Sequence, residues 1–333
     1  MNSDAGKLTG LQLAVTAAAL EGDAAAIYHL VRDLLSEGMP LSAVLFEVLA
    51  PVQAAMGHRW QTADYLISEE HAATGAIATV VALLAGSLEQ PEDAPRVVVA
   101  AVQGDAHSLP GRLIAAHLLY SGYRTTLLGA TMPASDLRQF LADDPPDFLV
   151  LTCAMTMHLP GARASIAAGH AVGVPVLVGG PAFGADGAWA TRLGADGWVG
   201  ALEDVAGKLD SWEPVISAPS TAELSAELQN LIDGRPLYVT GAAAALASQA
   251  GAGGVRHYEE LELLFDVLVS SMIVDEDIVL VEFAGWLAAL LDAHGADVAA
   301  VGAIIDALRI VVEPASQAAA HRLAAAASQI TSR

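Results

Sequence analysis

The chain has one cysteine, Cys153, so no disulfide framework holds it together. Bases are scarce: 15 lysines and arginines stand against 38 acids, a formal net charge of -23. A surface that acidic repels nucleic acid and anionic lipid. The sequence contains no basic cluster, no zinc-finger spacing, no HExxH or CxxC, no phosphate loop and no nucleophile elbow. Met1-Asn2-Ser3-Asp4 lacks a basic stretch followed by an apolar one, so no signal peptide is expected. The longest apolar run, Ile278 to Leu291, contains Glu282 and is short for a bilayer. These absences predict a cytoplasmic protein that engages neither nucleic acid nor membrane. What is present is apolar. Hydrophobic residues make up 54% of 333 positions, enough for two or three cored domains.

Three regions separate by period. Residues 7–88 read as four helices with short links, a small antiparallel bundle. Ser42 is the expected cap of the third helix, and Asp64 or Ser68 the start of the fourth. Glu89 to Pro95 is an acidic linker. Residues 96–208 alternate short β-branched runs with helical segments. The runs are Val97–Val102, Thr125–Leu128, Phe148–Thr152, Val174–Val178 and Gly197–Val199. The helices are Gly111–Tyr120, Ser135–Ala142, Leu159–Ala171 and Ala185–Leu193. That alternation predicts a doubly wound parallel sheet, and five strands favour the flavodoxin-like order. Asp210 to Ser220, with Pro214 and Pro219, reads as a second linker. Residues 221–333 are again helical, with Gly251-Ala252-Gly253-Gly254 as a flexible joint. The fold class is thus α/β plus all-α: bundle, sheet and C-terminal helical domain.

One stretch organises the rest. Val98 to Val102 ends at Gly104, and Asp105 and His107 follow before a helix starts. The carboxyl end of a strand is where an open α/β sheet places its ligand. A histidine there can bind a metal while the neighbouring carboxylate orients the imidazole. Read alone, the pair is equally a capping Asp beside a satisfied His. Most other histidines have no partner spacing: His29, His58, His117, His158 and His170 read as structural, and His321 as lying on a polar face.

Asp105-Ala106-His107 resembles the cobalamin-binding signature, in which a strand ends in an acid, one residue, then His. Thr152 lies forty-five residues past His107, where that family has a hydroxyl, and Gly179-Gly180 stands for its glycine pair. Gly122 and Gly129 also fall at family glycines. Pro110 departs from the pattern, which has Gly there. The resemblance implies His107 as lower axial ligand to cobalt, with Asp105, Ser108, Leu109, Thr152, Ala154, Gly179, Gly180 and Pro181 around the cofactor and its nucleotide tail.

Trp60 and Glu70-His71, with nine residues between, resemble the pattern of light-sensing cobalamin receptors of the CarH type. The resemblance implies adenosylcobalamin under a four-helix bundle. Trp60 would pack on the adenosyl group, Glu70 would bond it, and His71 would become the upper cobalt ligand after light. Those receptors also carry a helix-turn-helix domain, which this sequence does not show, so DNA binding is not carried over. By architecture, the C-terminal region resembles the photocobilin subgroup, in which such a module is joined to a biliverdin-holding helical domain. Cys153 sits on a sheet strand, so the bilin would be non-covalent. Candidate contacts are Arg256, His257, Tyr258, Trp286, His294 and Arg309, each of which also has a structural reading.

The expectation is a non-enzymatic photoreceptor, a homo-oligomer (dimer) whose assembly responds to light and whose signal a protein partner reads. The alternative is a corrinoid protein carrying a methyl group between methyltransferases, which also has a bundle before a cobalamin sheet. Trp60, Glu70 and His71 argue against it, because a methyl carrier needs an open upper face.

Overall fold

The computed structural model describes residues 2–216, 224–250 and 257–330. The first region is helical: α1 (Asn2–Leu20), α2 (Ala24–Ser36), a long third helix and α5 (Ile67–Ala85). The third begins as α3 (Leu41–Ala43), widens into a π-helical stretch at Val44–Leu49, and continues as α4 (Ala50–Gln61). Pro51 accounts for the widening. It has no N–H for the Glu47 carbonyl, and its ring would crowd that oxygen in an α-helix. Gln12 Nε2 supplies the missing donor to Glu47 O at 2.8 Å. By length and composition Leu41–Gln61 could cross a membrane. Here it is a packed helix, with Val44, Leu45, Val48, Leu49, Val52 and Met56 buried in the bundle core.

Two expected helix starts are corrected. Ser42 caps nothing: the chain turns helical at Leu41, straight after Pro40, whose fixed φ suits an N-terminus. Neither Asp64 nor Ser68 opens the fourth helix. Leu66 precedes it, and Glu69 reaches back to take the Leu66 N–H at 2.6 Å. A residue three positions into the helix thus does the capping work.

The second region is a five-stranded parallel sheet of order β2-β1-β3-β4-β5. Its strands are β1 (Arg96–Ala101), β2 (Arg124–Gly129), β3 (Phe148–Thr152), β4 (Val176–Gly179) and β5 (Gly197–Val199). This is the flavodoxin-like winding expected. Strand β1 is apolar on both sides because both faces are covered. Val97 and Val99 pack under α6 (Leu109–Tyr120) and α10 (Val205–Ser211). Val98 and Ala100 pack on the opposite side, beneath α7 (Ala134–Asp143), α8 (Leu159–His170) and α9 (Ala188–Arg192). That last helix is shorter than Ala185–Leu193. Gly187, in the left-handed region at φ 72°, precedes its first residue and keeps 185–187 out of the helix.

The second linker also starts later than expected. Helix α10 runs through Ser211, and Trp212 stacks on Phe148 with centroids 5.8 Å apart, closing the sheet's lower edge. Beyond it lie α11 (Ala226–Asp233), α12 (Arg235–Ala250), α13 (Tyr258–Val274), α14 (Asp277–Ala293), α15 (Ala299–Val312) and α16 (Gln317–Ile330). The glycine joint at 251–254 lies outside the described residues. These helices share one continuous core with the α7–α8 face of the sheet, in which Leu159 and Ile166 join Leu261, Leu264, Phe265 and Ile304. The bundle has a core of its own, to which α6 lends Leu109, Leu113 and Ala116.

Candidate functional site

Strand order fixes the place. Strand β1 is flanked by β2 on one side and β3 on the other, so the chain winds away in opposite senses and leaves a crevice at their carboxyl ends. The loop after β1 enters that crevice through Gly104, whose φ of 88° is the left-handed turn glycine tolerates. The loop is pinned on several sides. The Gln103 N–H donates to Ser165 Oγ at 3.1 Å, and the Thr131 N–H donates to Asp105 O at 3.0 Å.

Asp105 is fully buried. Its Oδ1 takes the His107 backbone N–H at 3.0 Å and His107 Nδ1 at 2.6 Å, and its Oδ2 takes the Ala154 N–H at 2.6 Å. Burial works to raise the carboxyl, but the bonds from His107 and Ala154 outweigh it and hold Asp105 below the usual carboxylate range. The same carboxylate raises His107 above its ordinary value of 6.5, against burial, and Glu70 from the bundle adds to the effect. With Nδ1–H engaged by Asp105, Nε2 is the atom left to meet a metal, and it belongs to a half-exposed ring.

A pH dependence follows. In the cobalamin-free protein the proton on Nε2 persists above pH 6.5. A metal must displace that proton. Affinity for cobalamin bound through His107 should therefore fall about tenfold per pH unit below the folded pKa and level off above it. Spectroscopic titrations from about pH 5.5 to 8.5 check this, and a flat profile over the whole range would contradict it.

Below the imidazole lies a cavity of about 460 Å³, lined by Ile114, Thr152, Gly179, Gly180, Trp198 and Leu202, with Pro110, Ala154 and Pro181 at its sides. Two buried polar atoms in its wall, Thr152 Oγ1 and Trp198 Nε1, have no partner among the described residues. Glycine is required at its rim. A Cβ on Gly180, where φ is 113°, would lie 2.3 Å from Cys153 O, and one on Gly179 would lie 3.1 Å from Val199 Cγ2. An imidazole nitrogen aimed away from its anchoring carboxylate, a cavity at the strand ends and two orphan hydrogen-bonding groups fit a cobalamin whose nucleotide tail enters the sheet. Pro110 is accommodated in the first turn of α6, where its missing N–H is not needed. Ser108 precedes that helix, and Leu109, its first residue, is buried against the bundle.

Gly122 does not line the cavity. It lies at the opposite end of the sheet, ending α6, where Tyr123 N–H bonds Leu118 O at 3.0 Å. Its φ of 91° terminates a helix and brings no backbone to a cofactor. Gly129, by contrast, ends β2 at the carboxyl edge.

Trp60 stands near the end of α4, and Glu70 and His71 in the early turns of α5. Glu70 Oε1 is held by Gln53 Nε2 at 2.8 Å and Thr74 Oγ1 at 2.7 Å. His71 Nδ1 sits 2.8 Å from Ile67 O and donates to it, so its Nε2 is free, on an exposed ring. The charge of Glu70 on the bundle reaches His107 on the sheet, and Trp60 makes its ring contact with His294 at 6.2 Å.

Of the bilin candidates, Arg256 lies outside the described residues. His257 is 3.8 Å from Glu260, Trp286 packs on Phe283, and Arg309 pairs with Asp306 and Glu313. His294 bonds Trp60 O, and Tyr258 is exposed.

Three histidines passed over as structural have specific partners. His158 borders the Gly104 turn, and burial lowers its pKa while Asp105 and His107 act on it in opposite senses. His170 Nε2 bonds Asp196 Oδ2 at 2.8 Å, fully inside the fold. His117 meets Phe46 of the bundle edge-on at 5.0 Å. Trp198 was also missed; its signal is an aromatic residue at the carboxyl end of a short strand.

The comparisons agree with this site. A B12 binding domain model matches residues 95–209, and a second B12 binding domain model matches residues 12–85. Over 127 residues the chain is 32% identical to the HTH-type transcriptional repressor CarH of Myxococcus xanthus, spanning 37% of this chain and 42% of that protein. The monomethylamine corrinoid protein of Methanosarcina barkeri shares the fold, with TM-score 0.51 and 18% identity over 59% of this chain and 94% of its own. A cobalamin-binding protein from Desulfitobacterium hafniense aligns at TM-score 0.33 and 22% identity, over 61% of this chain and 98% of that one. The matched segments show a cobalamin-binding protein, part of which is similar to CarH, and the chain spans less than half the length of that relative.

Proposed function

We propose that this cobalamin-binding protein is a cytoplasmic light sensor rather than an enzyme, with adenosylcobalamin held between bundle and sheet. The observation that carries the reading is Glu70, whose carboxylate Gln53 and Thr74 hold in place on the bundle and whose charge reaches His107 on the sheet. When bound, adenosylcobalamin supplies a cobalt–carbon bond that green or shorter light breaks. The chain's own residues do the rest. His107 Nε2 would hold the cobalt, with Asp105 keeping the imidazole in the required tautomer. Trp60 offers an indole face to the upper group, and Glu70, already oriented by Gln53 and Thr74, offers a carboxylate. Trp60 and Glu70 would grip that group and so tie bundle to sheet. His71, with Nε2 free, would offer the cobalt a second nitrogen once the group is gone. The output is a change of assembly, with a dimer as one state, read by a protein partner. The C-terminal helices are the place assigned to biliverdin, on architecture alone.

The test is an absorption spectrum of the full chain loaded in the dark with adenosylcobalamin, repeated after green illumination. Conversion to a stable end spectrum that His71→Ala fails to reach, with a shifted gel-filtration volume, is the expected result. A spectrum inert to light, with turnover of methylcobalamin by a methyl donor, would favour the methyl-carrying alternative. A red-absorbing band that survives gel filtration after incubation with biliverdin tests the second chromophore.

A further inference from the structure

Helix α14 is held at one end by the sheet domain and at the other by the bundle. At its start, Arg192 of the sheet domain bonds Glu276 Oε1 at 2.5 Å and Asp275 O at 3.3 Å, and also reaches Val274 O. Asp275 itself sits in the left-handed region, with φ 52°, so the clamp grips the tight turn between α13 and α14. At the other end, His294 follows the last residue of α14, and its Nε2–H donates to Trp60 O at 3.0 Å. That carbonyl also accepts the Ala63 N–H at 3.0 Å, so His294 braces the turn that ends α4. Between the clamps run 17 residues, a rigid rod of about 25 Å.

The packing says which end yields. The C-terminal helices share their core with the sheet, whereas the bundle has its own. The sheet end is charge-assisted and multiple; the bundle end, among the described residues, is one hydrogen bond to a backbone carbonyl and a ring contact. We infer that α14 is a strut reporting the bundle's position to the C-terminal helices, with His294 as a positioning residue for Trp60. The inference rests on the light-sensing reading for its trigger. Its contacts belong to the chain alone. A bundle that moves off the sheet pulls Trp60 from His294, frees the end of α14, and leaves the Arg192 end in place.

Hydrogen exchange on the full chain tests this, with wild type, His294→Ala and His294→Gln, first without cobalamin. A glutamine amide can donate to Trp60 O as the imidazole does. In His294→Ala, amides in 58–66 and 292–300 should exchange roughly fivefold faster. Those in 274–278 should be unchanged, and His294→Gln should restore protection. With adenosylcobalamin bound, light should raise exchange at 292–300 in wild type and add nothing in His294→Ala, while the absorption change persists in both. Unchanged exchange at 58–66 in dark His294→Ala, or failure of Gln to rescue, would overturn the positioning role. Absorption conversion in wild type with no response at 292–300 would overturn the strut. Absence of conversion in wild type would instead sink the light-sensing reading, and the dark exchange would still decide what His294 does.

Discussion

Asp105→Ala should weaken cobalamin binding by roughly 100-fold and lower folding stability by about 3 kcal/mol. One buried carboxylate serves three donors: the His107 backbone, the His107 ring and the Ala154 N–H. Alanine leaves the Ala154 N–H without its acceptor inside the loop and lets the imidazole rotate. Part of the loss depends on pH. Because the folded carboxyl is held below 3.8, its contribution is present above that value and is lost as the pH falls through the folded pKa. Asparagine separates the two effects. If its oxygen faces His107, its NH₂ opposes the Ala154 N–H, donor against donor. If turned round, its NH₂ opposes the His107 backbone N–H and favours a proton on the ring's Nε2, where the metal must bind. Asp105→Asn should therefore recover some stability, since the cavity stays filled, but little affinity. Urea unfolding and spectroscopic titration measure the two quantities. An Asn variant binding as tightly as wild type would show that tautomer control is irrelevant here.

Gly180→Ala should abolish cobalamin retention on gel filtration and cost about 3 kcal/mol or more of stability. Two independent penalties coincide. The backbone has φ 113°, which an L side chain avoids, and the new methyl would lie 2.3 Å from Cys153 O. The loops after β3 and β4 must then separate, and they form the cleft wall that carries Thr152 and Ala154. Gly122→Ala is the control. Its φ is 91°, but a Cβ there meets nothing within 4 Å. It should cost about 1 kcal/mol through backbone strain and leave cobalamin binding intact. Equal retention by both variants would mean that the close approach of the two loops does not shape the cleft.

The sheet was legible because its physics is local. Short β-branched runs alternate with helical stretches, and the winding follows from that alternation; β1, β3 and β4 are buried almost throughout, whereas the edge strand β2 exposes Arg124 and Thr126. The Asp105–His107 pair was legible because the strand end announces it. Other features have no local signal. His170 and Asp196 are twenty-six positions apart, and only the sheet brings them to hydrogen-bonding distance. The start of the fourth helix was misread because Asp64 and Ser68 are better caps by residue type, whereas the turn is stabilised by Glu69 from inside the helix. Gly122 was grouped with the cofactor glycines because a left-handed φ looks the same in sequence whether it ends a helix or admits a ligand. Trp212 read as linker because its stacking partner, Phe148, lies two strands away. His294 was considered for a bilin, yet its contact is with Trp60, more than two hundred residues earlier.

The π-helical stretch at Val44–Leu49 bears on where Trp60 points. Such a stretch holds a surplus residue within an otherwise regular helix. The wider turn absorbs it: six residues there sweep about the angle that five sweep in an α-helix. Trp60 lies eleven positions beyond the stretch, on the same helix. Removing one residue from the stretch would let the helix close into ordinary pitch while the indole kept nearly its bearing about the axis. The wide turn is thus slack in an otherwise stiff rod, a place where chain length can change by one residue without swinging the last aromatic side chain.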